Sequence, residues 1–189
     1  MKSKSFAILA ILTFLVAVAF GVYMASQQKE SSTPTAPPTA NTQPEQPKTV
    51  KIFHVKIEDS RPKLRPVSKQ ISAKEDPIEA ALRLLVEQGN GKDPSNPIPE
   101  GTKLLGVEVK DGLAIVNFSH EFRDNFQGGS TGEALLIGAI LRTLGQFSEI
   151  RQVSILVEGK PISSLGHLDL SGRLDVNSSG MGFNNEIEK

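Results

Sequence analysis

The chain has 189 residues, with 21 Lys and Arg set against 21 Asp and Glu, so its formal net charge is zero. That length suits one domain with extensions, and the even balance offers no basic stripe for nucleic acid. There is no Cys and no Trp, which excludes disulfides, thiolate chemistry, cysteine-rich zinc sites and a lipidated cysteine, and leaves an aliphatic core with a few Phe.

Lys2 and Lys4 precede an uncharged apolar run from Phe6 to Ala25. A membrane span needs about 20 apolar residues, and this run reaches that length. The expectation for residues 1–25 is an uncleaved anchor crossing the membrane once. Its lysines stay inside and the rest of the chain lies outside the cytoplasm. The alternative is a signal peptide cut near Ala17–Ala19, which would leave the protein secreted. Residues 26–49 are rich in Pro, Thr, Ser and Gln. Such a segment cannot bury enough apolar surface to offset its ordering entropy, so it reads as a disordered linker.

A domain is expected over residues 50–176, followed by a loose tail at 177–189. "VKIFHVKIE" alternates apolar and polar residues from Val50, a strand pattern. "KLRPVSKQI" reads as a second short extended stretch, with Pro66 at an edge or bulge. "DPIEAALRLLVEQG" reads as a helix, with Asp76 as N-cap, Pro77 in the first position, Glu79 completing a capping-box-like pattern and Gly89 as terminator. Ile78, Ala81, Leu82, Leu85 and Val86 make one apolar stripe.

Asp111-Gly112 is a two-residue hairpin turn signal. The implied register pairs Val109 with Ala114, Val107 with Val116 and Leu105 with Phe118 on one apolar face. Glu108 and Gly106 then meet Ile115 and Asn117 on the other. "FRDNFQGGS" reads as a loop. "STGEALLIGAILRTLGQF" reads as a second helix opened by a Ser130–Glu133 capping box. Gly138, Arg142, Gly145 and Gln146 fall on its polar side. "RQVSILVEGKP" is the last clear strand. The fold class is α+β: two amphipathic helices packed on one face of a small mixed β-sheet that contains the Asp111-Gly112 hairpin.

"IVNFSHEF" sets Ser119, His120 and Glu121 side by side, the residue types of a hydrolytic triad. If the strand runs through them, Ser119 and Glu121 point one way and His120 the other. That spacing cannot build a nucleophile–base–orienter chain. The remaining hydrolase arrangement pairs His120 with Glu121 or Asp124. His54 and His167 are the other histidines, and no HExxH-like spacing links the three. Gly128-Gly129 precede a helix but lack the lysine of a phosphate loop. No catalytic, metal or cofactor-binding residue is therefore assigned, and no cofactor is expected.

The segments Asp76–Gly89, Ile98–Phe122, Leu141–Phe147 and Val153–Pro161 together resemble the GerMN domain, known from a bacterial sporulation and spore-germination protein. The resemblance spans roughly Lys51 to Asp175. It implies an exported, membrane-tethered protein associated with envelope assembly. It also implies a fold similar to ring-building modules that pack side by side, and it brings no catalytic residues. Two departures stand out. The sporulation protein carries two copies of the domain and this chain one. That protein is a lipoprotein, and this chain has no cysteine to lipidate.

The function expected is a non-enzymatic interaction module of the bacterial envelope. Its partner would be an envelope protein or further copies of itself in a ring-type oligomer, and the N-terminal helix would contact the membrane. Peptidoglycan binding is the alternative, although the folded part offers no Trp or Tyr platform. A hydrolase is the third reading.

Overall fold

The computed structural model describes residues 46–88 and 93–177. The Phe6–Ala25 run, the linker up to residue 45, Gly89 and the tail from residue 178 lie outside the described residues. Among the described residues, no helix is long and apolar enough to cross a membrane.

Strands β1 (Lys48–Glu58) and β2 (Arg61–Ile71) pair antiparallel along their whole length and form a two-stranded sheet of their own. The stretch read as short is thus a full strand. Its turn, Asp59-Ser60, has φ of 51° and 60°, the doubly left-handed geometry of a type I′ turn. Counting outward from the closing pair Glu58–Arg61, Pro62 and Pro66 face Ile57 and Phe53. Those are non-hydrogen-bonded positions, so the missing N–H groups cost no ladder bond.

Helix α1 (Pro77–Gln88) starts as its sequence requires. Asp76 Oδ1 accepts the N–H groups of Ile78 at 2.9 Å and Glu79 at 3.0 Å. A cap of this kind contributes about 1 kcal/mol. Its apolar stripe is buried.

Strands β3 (Leu104–Lys110) and β4 (Leu113–Phe118) form the expected hairpin, with φ of 51° at Asp111 and 84° at Gly112. Val109 meets Ala114 and Val107 meets Val116 as read from the sequence. One pair differs. A bulge at Leu105 brings Leu104 opposite Phe118 and leaves Leu105 48% exposed. A bulge inserts one residue into one strand, so the face pattern slips by one from there outward.

After β4 come a short helix α2 (Glu121–Asp124), where the sequence suggested only loop, and the long helix α3 (Ser130–Leu144). Strand β5 (Gln152–Val157) then lies parallel to β4. A Glu158-Gly159 turn, φ 50° and 73°, returns the chain as β6 (Lys160–Pro161). The last strand, β7 (Leu174–Asp175), pairs with the other end of β5. The sheet is therefore mixed, in the order β3-β4-β5-β6 with β7 also on β5.

The expected α+β class holds. Val116 and Ile155 on the sheet, Leu82 and Leu85 on α1, and Ile137 and Ile140 on α3 belong to one buried cluster. Each such side chain contributes about 1.5–3 kcal/mol on burial. Helix α3 is apolar on more than its sheet side. Leu135 and Ala139 pack against Leu64 of β2. A Cβ placed on Gly138 would lie 3.0 Å from Leu64 Cδ1. Gly138, assigned to the polar side from sequence, marks the close approach of the hairpin.

The Ser130–Glu133 capping box does not form. Gly129 is the N-cap and makes no side-chain bond. The Glu133 carboxylate is fully buried and accepts the N–H groups of Leu165 at 3.0 Å and His167 at 2.7 Å. Two otherwise orphaned donors outcompete the local cap.

Candidate functional site

The Ser119–Asp124 corner forms where β4 ends. The strand stops at Phe118, and His120, with φ −59° and ψ −27°, already has helical geometry. Strand alternation therefore does not apply past Phe118, and Ser119, His120 and Glu121 sit on one helical turn. Their side chains do meet. His120 Nε2 lies 3.3 Å from Glu121 Oε1 and Nδ1 lies 3.1 Å from Asp124 Oδ2. The structure thus brings His120 together with both carboxylates considered for it.

The arrangement is not that of a triad. Both ring nitrogens of His120 face carboxylates, so neither is turned to a hydroxyl. Ser119 is buried, and its hydroxyl accepts the Lys103 N–H at 2.9 Å, while the Ser119 N–H bonds Lys103 C=O at 3.0 Å. The serine hydroxyl is also the main reason the Glu121 carboxyl titrates below its usual range. Asp124 is lowered first by its bond from Arg123 and then by His120. The His120 N–H is held by Glu158 Oε1 at 2.9 Å. The corner instead has a packing result: it turns Phe122 back onto Phe118, with ring centroids 4.4 Å apart and planes 7° from parallel. Both rings are fully buried. Such a pair adds about 0.5–1.5 kcal/mol beyond area burial.

A second Ser–His–Asp group, unforeseen from the sequence, lies at the loop before Asn96. His54 Nδ1 is 3.2 Å from Ser95 Oγ and 3.2 Å from Asp93 Oδ2. Ser95 Oγ donates to Asp93 Oδ1 at 2.6 Å. Here serine and carboxylate share one imidazole nitrogen, and Nε2 is buried without a partner among the described residues. A relay needs the two on opposite nitrogens. Burial pushes the His54 pKa down against the opposing pull of Asp93. The group acts as a latch: the Val55 N–H also bonds Ser95 C=O at 2.7 Å, which ties β1 to the loop.

His167 contributes its backbone to Glu133, and its side chain is exposed. Among the described residues, no three His, Asp or Glu side chains are placed to share a metal ion. At Gly128 a Cβ would lie 2.7 Å from the Phe126 ring. That glycine leaves room for the ring, while nothing lies within 4 Å of a Cβ placed on Gly129.

Residues 22–163, more than half of the chain, match the model of the Germane family, described as sporulation and spore germination. The chain belongs to this family. The Germane domain seen here also aligns with solved structures. The first GerMN domain of the sporulation protein GerM from Bacillus subtilis matches at TM-score 0.53 and 22% identity, over 67% of this chain and 96% of that one. The tandem GerMN domains of the same protein match at TM-score 0.52 and 20% identity, over 68% of this chain and 44% of that one. A Clostridium perfringens protein aligns at TM-score 0.48 and 25% identity, over 68% and 87%. No curated protein matches the sequence. The two GerM likenesses establish the shared fold.

Within the Germane domain, the best-built polar interactions are ones that hold backbone. Glu133 holds the 165–167 loop, Asn96 bonds Leu85 C=O at 2.6 Å and Ile98 N–H at 2.9 Å, and Gln146 bonds the backbone of Lys51. Sequence reasoning missed all three, since apart from Ile98, two residues after Asn96, each partner lies well away in the chain.

Proposed function

We propose that this Germane domain is a non-enzymatic interaction module of the bacterial envelope. It would be held outside the cytoplasm by the N-terminal apolar run and would bind an envelope protein or further copies of itself. The observation that carries the reading is the commitment of both Ser–His–acid groups to structure. Ser119 is buried and bonded to the Lys103 backbone, the exposed His120 ring has a carboxylate at each nitrogen, and His54 meets serine and aspartate on one nitrogen. The family description, sporulation and spore germination, is one of process and not of catalysis. The main sheet also ends at β3, an edge strand bearing Leu105 and Val109, 48% and 40% exposed. An edge with unpaired backbone groups and exposed aliphatics is suited to strand-to-strand contact.

The test is site-specific photo-crosslinking in cells from position 105 or 109 of the full chain, followed by affinity recovery. A discrete adduct with one envelope protein or a ladder of self-adducts is the expected result. Monomer alone from both positions, with the protein present at the membrane, would overturn the reading.

A further inference from the structure

We infer that the tip of the β1–β2 hairpin is a contact site for an anionic lipid surface, a second membrane contact besides the N-terminal run. This inference rests on the extracytoplasmic, tethered reading above.

The hairpin carries seven Lys or Arg, with Glu58 and Asp59 as its only acids. Residues 72–177 carry the opposite excess. The domain is therefore polarised, although the chain is neutral. The uncovered end shares that excess: from Lys56 to Arg65 the cations Lys56, Arg61, Lys63 and Arg65 stand against Glu58 and Asp59, and from Lys56 to Lys63 no residue is buried. The two helices pack against the opposite part of the hairpin, where Val50, Ile52 and Leu64 are buried.

The two faces of the tip differ. Paired residues share a face. One face pairs Ile57 with Pro62 and Val55 with Leu64. Ile57 is 66% exposed, the most exposed large aliphatic among the described residues. The other face pairs Lys56 with Lys63 and Glu58 with Arg61. Glu58 gathers Lys56 at 3.6 Å, Lys63 at 3.9 Å and the Arg65 guanidinium. With Asp59 as the other acid, two carboxylates against Lys56, Arg61, Lys63 and Arg65 leave the tip with a net positive charge. An aliphatic point set among lysines and arginines is the chemistry that seats on a bilayer interface. Its apolar atoms enter the acyl boundary, and its cations meet lipid phosphates.

Chain length permits the contact. β1 begins at Lys48 and its tip lies about 34 Å along the strand. The roughly 22 residues between the apolar run and β1 can extend to about 70 Å. Both the run and the tip can therefore reach one bilayer.

The experiment uses the full chain in vesicles of phosphatidylcholine, with and without one third phosphatidylglycerol. The absence of Cys lets Ile57→Cys carry a single environment-sensitive fluorophore, with Glu108→Cys as the reference site. On anionic vesicles the label at 57 should shift to the blue. Its quenching by lipid-borne spin labels should be at least about twofold stronger than on neutral vesicles. The label at 108 should remain aqueous. Adding Lys56→Glu and Lys63→Glu should return the signal at 57 to the neutral-vesicle level. If the chain is retained on vesicles but the label at 57 stays equally aqueous on both, the tip contact is overturned and the tethered reading stands. If the chain is retained on neither, both fall.

Discussion

The side chain of Gln146 completes the edge of β1 at Lys51. Its Oε1 accepts the Lys51 N–H at 2.8 Å and its Nε2 donates to Lys51 C=O at 2.7 Å. One amide thus replaces the two bonds a neighbouring strand would supply. Gln146→Ala removes both at an exposed site and should cost roughly 1–2 kcal/mol. Hydrogen exchange at the Lys51 amide should rise while exchange in β4 and β5 changes less. Uniform loss of protection would show that Gln146 holds more than the hairpin.

Glu133 is the corresponding case in the interior. Glu133→Ala leaves the N–H groups of Leu165 and His167 without their acceptor and should destabilise the domain by about 2–4 kcal/mol. Glu133→Gln retains one carbonyl oxygen and should fall between Ala and wild type in a urea titration. Limited proteolysis of both variants should cut first between residues 162 and 170. A first cut in the β1–β2 hairpin would place the weak point elsewhere.

His54 makes stability depend on pH. Its folded pKa lies below 6.5 because burial disfavours the charged ring, and Lys69 adds to that while Asp93 opposes it. The contribution is fully present above pH 6.5. As pH falls below 6.5, the unfolded chain takes a proton that the folded chain resists, so stability declines until the folded ring also protonates. His54→Gln should flatten that part of the stability profile. Glu58, lowered to about 2 chiefly by Arg65, acts only at lower pH, from about 4.5 downward. An unchanged slope in His54→Gln would assign the dependence to another group.

Hairpin register predicts opposite outcomes at two apolar positions. Val116 is fully buried, and Val116→Asp should prevent cooperative folding by burying an unpaired charge. Leu105, displaced outward by the bulge, should accept Lys within about 0.5 kcal/mol. Circular dichroism melts of the two variants check both. A Leu105→Lys variant that unfolds would restore the unbulged register.

Local signals carried the sequence reading as far as local physics acts. Asp76-Pro77 marks the start of α1 because cap and ring act within one turn. Asp111-Gly112 fixes a hairpin because glycine at φ 84° is needed there. The equivalent turn at Asp59-Ser60 was not legible, since two non-glycine residues at positive φ are uncommon. Pro62 and Pro66 also look like breakers until the register assigns them sites that need no N–H. Ser130 and Glu133 carry a capping pattern, yet the loop at 165–167 recruits the carboxylate. The parallel β4–β5 pairing depends on α3 being in place and leaves no local mark. At the candidate site, the Ser119–His120–Glu121 alternation failed one residue after Phe118. The His54 latch was hidden because Asp93 and Ser95 reach it from across the fold.

The placement of Leu64 between β2 and α3 has a consequence for the order of synthesis. The hairpin leaves the ribosome first, and Leu135, Gly138 and Ala139, which cover it, are made much later. Until then the nascent chain presents a two-stranded ribbon with apolar groups on both faces, and an isolated ribbon of that kind is at best marginally stable in water. The lysines and prolines of β2 are the means by which such a ribbon resists pairing with its neighbours while it waits.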